Sequence, residues 1–237
     1  MRQTRDPGEV VSVIKPSEFA LDGSYSLQLS EKFSMAIAGR YIHSNLKVAI
    51  DNSDATSANS FAIDIGGFYQ SQEITFNKFN GRWRAGFNVQ NLGPKRSYDN
   101  DEISANFLPA NLKLGGGFDF IFDESNTLSV NVEFNKLLVP TPKYGVDLNG
   151  DTIVNDDEIA TDDYRSTGLF SGVFNSFGDA PNGFSEEFKE ITYAIGSEYS
   201  FKDAFDMRLG YFHEIIIKGA RQFFSLGTGF KYKCIKN

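Results

Sequence analysis

The stretch that decides the fold is Asn111 to Asn135, NLKLGGGFDFIFDESNTLSVNVEFN. Leu112, Leu114, Gly116, Phe118, Phe120 and Phe122 occupy every second position, with Asn111, Lys113, Gly115, Gly117, Asp119 and Ile121 between them. A strand sends alternate side chains to opposite faces, so the pattern predicts one apolar face and one mostly polar face. Asp123-Glu124-Ser125-Asn126 then supplies turn chemistry. Alternation resumes with Leu128, Val130, Val132 and Phe134 against Thr127, Ser129, Asn131 and Glu133. The stretch reads as a hairpin, and its first arm matches the roughly 9–11 residues a strand needs to cross a bilayer.

The same unit recurs on both sides of this hairpin. Upstream, strands are expected over about 18–29, 33–48, 61–69 and 82–89, with apolar rows such as Phe33, Met35, Ile37, Gly39 and Tyr41. Downstream they are expected over about 191–201, 205–215 and 224–232. Residues 1–16 read as a loop or strand remnant with Pro7-Gly8 as a turn. The connections alternate in length. Short or moderate ones fall at 30–32, 72–82, 123–126 and 202–204, and the others at 48–58, 93–107, 139–186 and 217–221. Outer-membrane barrels share this asymmetry, with short periplasmic turns and longer extracellular loops. The expected architecture is therefore all-β: an antiparallel transmembrane β-barrel occupying residues 1–237 as one unit, with a long extracellular loop at about 139–186. On pattern alone the alternative is a soluble β-sandwich or a lipocalin-like barrel.

About nine strands is an odd number, and single-chain bacterial barrels close with an even one. Met1-Arg2-Gln3-Thr4-Arg5 lacks an apolar signal-peptide core. Lys233-Cys234-Ile235-Lys236-Asn237 falls inside or just after a strand pattern. Together these predict an internal fragment forming an incomplete barrel.

Composition narrows the function classes. A net charge of −8 disfavours nucleic acid as a partner, since that needs a basic surface. A mean hydropathy of −0.31 and the lack of a long uncharged apolar run exclude a helical membrane protein. The same values suit a barrel, whose polar lumen face dilutes hydropathy. Phe 23, Tyr 10 and Gly 22 agree with aromatic-rich alternating strands. The single Cys234 excludes an internal disulfide, and His43 and His213 sit inside strand patterns as ordinary strand residues. No catalytic or nucleotide-binding motif is present, so no enzyme is expected.

Two segments carry candidate chemistry. Asp147 to Glu158 has the twelve-residue spacing of an EF-hand calcium loop. Oxygen ligands would come from Asp147, Asn149, Asp151, the backbone of Ile153, Asn155 or its water, and Glu158. Thr152 departs from the pattern where the sharp turn wants Gly, and the plain alternative is an acidic, solvated loop. No other cofactor is expected. Ser166 to Gly178, STGLFSGVFNSFG, is uncharged and offers Leu169, Phe170, Val173, Phe174 and Phe177. It is either loop packing that caps the barrel mouth or a contact for a partner or apolar ligand.

Longer segments carry a resemblance. They include Glu18 to Leu27 (EFALDGSYSL), Asn80 to Pro94 (NGRWRAGFNVQNLGP), Ser104 to Phe120 (SANFLPANLKLGGGFDF), Phe174 to Tyr193 (FNSFGDAPNGFSEEFKEITY) and Gly219 to Tyr232 (GARQFFSLGTGFKY). The chain resembles the PorV family, outer-membrane barrels of the type IX secretion system within the FadL-like class. The resemblance implies a fourteen-stranded barrel without enzymatic activity, seated in outer-membrane lipid. It implies work with the translocon barrel SprA, receipt of cargo bearing C-terminal signal domains, and transfer to an attachment complex containing PorU. The alternative, from fold analogy, is a FadL-like transporter of small hydrophobic molecules. A third reading, an outer-membrane hydrolase, lacks a Ser-His-acid constellation.

Overall fold

In the computed structural model the period-two alternation becomes one antiparallel sheet. The structure describes residues 2–4, 10–13, 17–45, 57–97, 105–141, 167–180, 183–215 and 219–231. A two-stranded sheet pairs β1 (Arg2–Thr4) with β2 (Val10–Val13). The main sheet contains β3 (Ser17–Gln28), β4 (Phe33–Asn45), β5 (Ala58–Gln70), β6 (Ile74–Thr75), β7 (Asn80–Leu92), β8 (Asn111–Asp123) and β9 (Asn126–Leu137). It continues with β10 (Thr192–Phe201), β11 (Phe205–His213) and β12 (Gln222–Phe230). Neighbours in sequence are neighbours in space along β3-β4-β5-β7-β8-β9-β10-β11-β12, with β6 added beside the start of β7. The edge strands β3 and β12 do not pair with each other, so the sheet is an unclosed barrel wall.

Register sorts the side chains into two continuous faces. One cross-strand row runs Trp83, Phe118, Val130, Ser197, Leu209, Leu226. The adjacent row, on the other face, runs Arg82, Asp119, Ser129, Glu198, Arg208. A slip of one residue at any ladder would exchange the two faces, so the alternation specifies the register strongly.

Burial is inverted relative to a water-soluble domain. On the apolar face Phe61 is 65% exposed and Leu226 75%, while Asp119 on the polar face is 7% exposed. The buried apolar side chains among the described residues are Ala58, Ala62, Leu108, Ala110, Leu138 and Ala180. A sheet in water would cover its apolar face with a second layer. Here none of the described elements does so, and the hydrophobic band is the outside of the wall.

Aromatic rings border that band at both ends. Towards the long connections, Phe19, Tyr41 and Phe61 form a chain with centroid separations of 6.0 and 5.2 Å, and Tyr193 stacks on His213 at 4.8 Å. At the short-turn end Phe205 meets Phe230 at 5.1 Å, and Phe33 lies beside Tyr69. On β4, Phe33 and Tyr41 to His43 are eight to ten residues apart, roughly 27–34 Å along the strand. A tilt of about 40° reduces this to roughly 21–26 Å across, close to the apolar band of an outer-membrane barrel.

The two rims differ in how the chain turns. The short-turn rim uses local chemistry. Lys202 and Asp203 both adopt positive φ, 53° and 51°, and Ala204 N–H donates to the Phe201 carbonyl at 3.0 Å, the mark of a type I′ hairpin turn. The Asp123 carboxylate accepts from the Ser125 N–H at 2.7 Å and from the Asn126 amide at 2.9 Å, which closes β8–β9. The opposite rim, expected as irregular over 139–186, contains two short helices among its described residues: α1 (Leu169–Asn175) and α2 (Phe184–Lys189).

Candidate functional site

The helical segment on the long-connection rim is tied to the wall by buried charge. Lys136, near the end of β9, places its ammonium 2.7 Å from Glu187 Oε2 and 2.9 Å from Glu190 Oε2. Glu187 and Glu190 are three residues apart, on one side of α2 and its C-cap, so one cation serves both. Lys136 and Glu187 are buried, and the second oxygen of Glu187 accepts the Ala180 N–H at 3.0 Å. A buried charge is tolerated when it is paired and hydrogen-bonded in this way. Asp179 adds a second tie, accepting from the Thr141 N–H at 2.8 Å. Acidic residues in the first turn of α2 and Lys189 in its last turn suit the helix dipole.

α1 docks through its smallest residue. Gly172 is buried, and a Cβ there would lie 2.8 and 3.0 Å from the Phe107 ring and 3.3 Å from Pro140. Contact with the 105–110 segment and the chain after β9 therefore depends on the missing side chain. The rings of Phe170 and Phe174, one helical turn apart, are 70% and 73% exposed, and Phe177 is also exposed. Leu169 and Val173 are half-buried. Phe177 lies 5.8 Å from the Lys136 ammonium and so touches the ionic tie. Phe188 of α2 is exposed as well. The cap thus presents a small apolar surface held by a polar anchor, a usual composition for a protein contact.

The concave face of the wall is different. Its ion pairs run between strands: Arg84 with Asp119 at 2.6 Å, Arg40 with Asp64 at 3.2 Å, and Arg208 with Glu198. Between them Gly86, Gly115, Gly117, Gly196 and Gly210 line a concavity of about 760 Å³ together with Lys113, Glu133, Phe212 and Phe223. At β5–β7 the register shifts, Asn91 adopts φ 58°, and its N–H donates to Asp64 at 2.7 Å. This bulge turns the chain out of β7 towards the 93–110 connection. At the rim between β11 and β12, buried Glu214 receives two hydrogen bonds from Arg221 at 2.6 and 2.8 Å. That guanidinium holds the Glu214 carboxyl below its ordinary value.

The structure brings Leu169, Phe170, Val173, Phe174 and Phe177 together on α1 and the turn after it. The expected calcium ligands Asp147, Asn149, Asp151, Ile153, Asn155 and Glu158 lie outside the described residues. Among the described residues no cluster of three or more His, Cys, Asp or Glu side chains could hold a metal ion. His43 and His213 are strand residues: His43 stacks on Phe19 and pairs with Asn59 at 2.7 Å, and His213 accompanies Tyr193. Sequence reasoning missed Lys136, Glu187, Glu190 and Gly172. The Phe170, Phe174, Phe177 spacing of four and three residues was the available signal for α1.

Fold and surfaces define a class: an antiparallel barrel wall, apolar outside and charged inside, carrying a helical cap on one rim. Among the described residues no helix is long and apolar enough to cross a membrane. The chain belongs to the family of the type IX secretion system protein PorV, whose family model matches residues 2–144. The matched span covers β1 to β9; the cap helices and β10 to β12 follow it. No curated protein matches the chain. Membership ties the protein to type IX secretion, a family of secretion-system components and not of known enzymes.

Proposed function

We propose that the protein is an outer-membrane platform of type IX secretion, and that the 139–186 region, which includes α1, is its docking surface. The carrying observation is the pair Phe170 and Phe174, left exposed on a helix that packs through buried Gly172, next to a second helix anchored by a paired charge. Apolar rings exposed on an anchored element supply affinity to a partner, and a charged surround supplies selectivity. On this reading the partners are the translocon barrel SprA, cargo with C-terminal signal domains, and the PorU-containing attachment complex. The wall's outward band faces lipid. Calcium binding by the 147–158 segment, which precedes α1 in the same connection, belongs to this proposal.

The test is a Phe170→Ser, Phe174→Ser double variant in the full-length protein. The barrel should stay heat-stable in detergent, while recovery of translocon or cargo in a pull-down and secretion both fall. Normal secretion by a stable variant overturns the reading. A second reading, passage of small hydrophobic molecules, draws on the glycine-lined concavity of about 760 Å³. It gains if uptake of a hydrophobic compound falls when Gly115 and Gly196 are replaced by Leu while secretion is unchanged.

A further inference from the structure

A second specialised surface lies at the opposite rim, outside the wall. The β5–β7 connection extends past its neighbours as a small hairpin. Ile74 and Thr75 pair with Gly81 and Asn80, and the Phe76 N–H donates to the Phe79 carbonyl at 2.9 Å. Its two phenylalanines fold onto the outer face of β8. Phe76 and Phe79 stack at 4.9 Å, Phe79 lies 5.3 Å from Phe120, and Phe118 meets Trp83 at 4.5 Å. Gly81 makes room for this, since a Cβ there would lie 2.3 Å from Phe118 and 2.7 Å from Phe76.

Between the hairpin tip and the end of β8 runs a groove of about 470 Å³. Its apolar side is Phe76, Phe79 and Phe122, and Phe79 and Phe122 both lie against Phe120 of the outward face. Its polar side is Glu73, Lys78, Asp123 and Glu124, all exposed. Three carboxylates and one ammonium give the lining a formal charge of 1 − 3 = −2. Glu73 is engaged by Asn80 at 2.7 Å and Arg82 at 3.6 Å, and Asp123 caps its turn. No ion pair among the described residues engages Lys78 or Glu124.

We propose that this groove holds a zwitterionic phospholipid with a primary-ammonium head group, in the leaflet at the short-turn rim. The inference rests on the reading of the wall as membrane-spanning. The rings take the upper acyl chains at the level where aromatic girdles meet the interface. Lys78 takes the phosphate as a point charge, and Glu124 with Asp123 accepts the N–H donors of the ammonium. A singly anionic lipid meets a lining of its own sign. A choline head group offers no N–H donor and keeps only its attraction to the ring faces.

The test uses the full-length protein in detergent, offered equal amounts of phosphatidylethanolamine, phosphatidylcholine and phosphatidylglycerol with identical chains. Native mass spectrometry counts the lipid retained. Phosphatidylethanolamine should exceed phosphatidylglycerol by about five-fold, the size of one exposed ion pair, with phosphatidylcholine between them. A Lys78→Gln, Glu124→Gln double variant should lower phosphatidylethanolamine to the level of phosphatidylcholine, and Phe170→Ser on the cap should change nothing. Equal retention of the three lipids, or an unchanged preference in the double variant, overturns the site. Flotation with vesicles separates the two failures. Protein that floats without lipid preference overturns the site alone, and protein that does not float overturns the membrane reading and the site with it.

Discussion

Phe61 and Leu226 on the wall and Phe170 and Phe174 on the cap are similarly exposed, between 65% and 75%. Their settings are opposite. The wall residues belong to a continuous band whose every strand repeats the alternation, and the face behind them is paired charge. The cap residues are a short patch on a seven-residue helix, with a buried glycine and a buried ionic tie behind them. Exposure alone does not say what an apolar side chain is for; the extent of the apolar surface around it does. A continuous band needs an apolar medium, whereas a short patch on an anchored element does not.

The largest expected effect tests the cap's anchor. Lys136→Met leaves Glu187 and Glu190 facing each other without a cation. Breaking a buried pair from one side costs about 3–5 kcal/mol. Hydrogen exchange should therefore rise sharply over α1 and α2 while protection in the β4, β8 and β10 ladders stays unchanged. Loss of protection across the wall would mean that cap and wall form one cooperative unit. Next is Phe118→Arg, which puts a charge in the middle row of the band at roughly 2–4 kcal/mol. Urea titration of the vesicle-reconstituted protein should show that loss, whereas Phe170→Arg on the cap should leave the midpoint in place. Equal effects would dissolve the distinction between band and patch.

Gly172→Leu comes third. The added side chain meets Phe107 and Pro140, and overpacking costs roughly 1–3 kcal/mol. Proteolysis should open at the 167–180 segment without loss of heat stability in the wall. The smallest effect is titration of Glu214. Its pKa is lowered from the ordinary 4.5 by hydrogen bonds from Arg221, so its stabilising contribution is full above the ordinary value. It fades as pH falls through the lowered one. The 214–221 connection should become protease-sensitive in that acid window, and Glu214→Gln should be sensitive at neutral pH too. Identical pH profiles for the two proteins would remove the ion pair from the account.

The wall was legible because its information is local. Alternation of period two over Leu112 to Phe122 assigns face and register together, and Lys202-Asp203 or Asp123-Asn126 close their hairpins with residues at the turn itself. The nine long strands accordingly fall within a few residues of the expected spans. The cap was not legible because its information is distant. Lys136 and Glu187 are 51 residues apart, and nothing in either neighbourhood announces the pair. Gly172 matters only because Phe107, from another connection, arrives against it. α1 and α2 are too short to form by propensity alone, so their helicity follows from docking. The extra β6 hairpin escaped for the same reason: Phe76 and Phe79 are placed by rings on β8.

The shared ammonium of Lys136 also has a mechanical meaning. β9 is laddered on both sides, to β8 and to β10, and α2 runs into β10 after two residues. The cap is thus fastened to one strand by charge and to its neighbour by the backbone. A pull on α1 is shared between two ladders in shear, where many hydrogen bonds must yield together, and does not unzip one edge bond by bond. A load on the cap is therefore carried by β9 and β10 together.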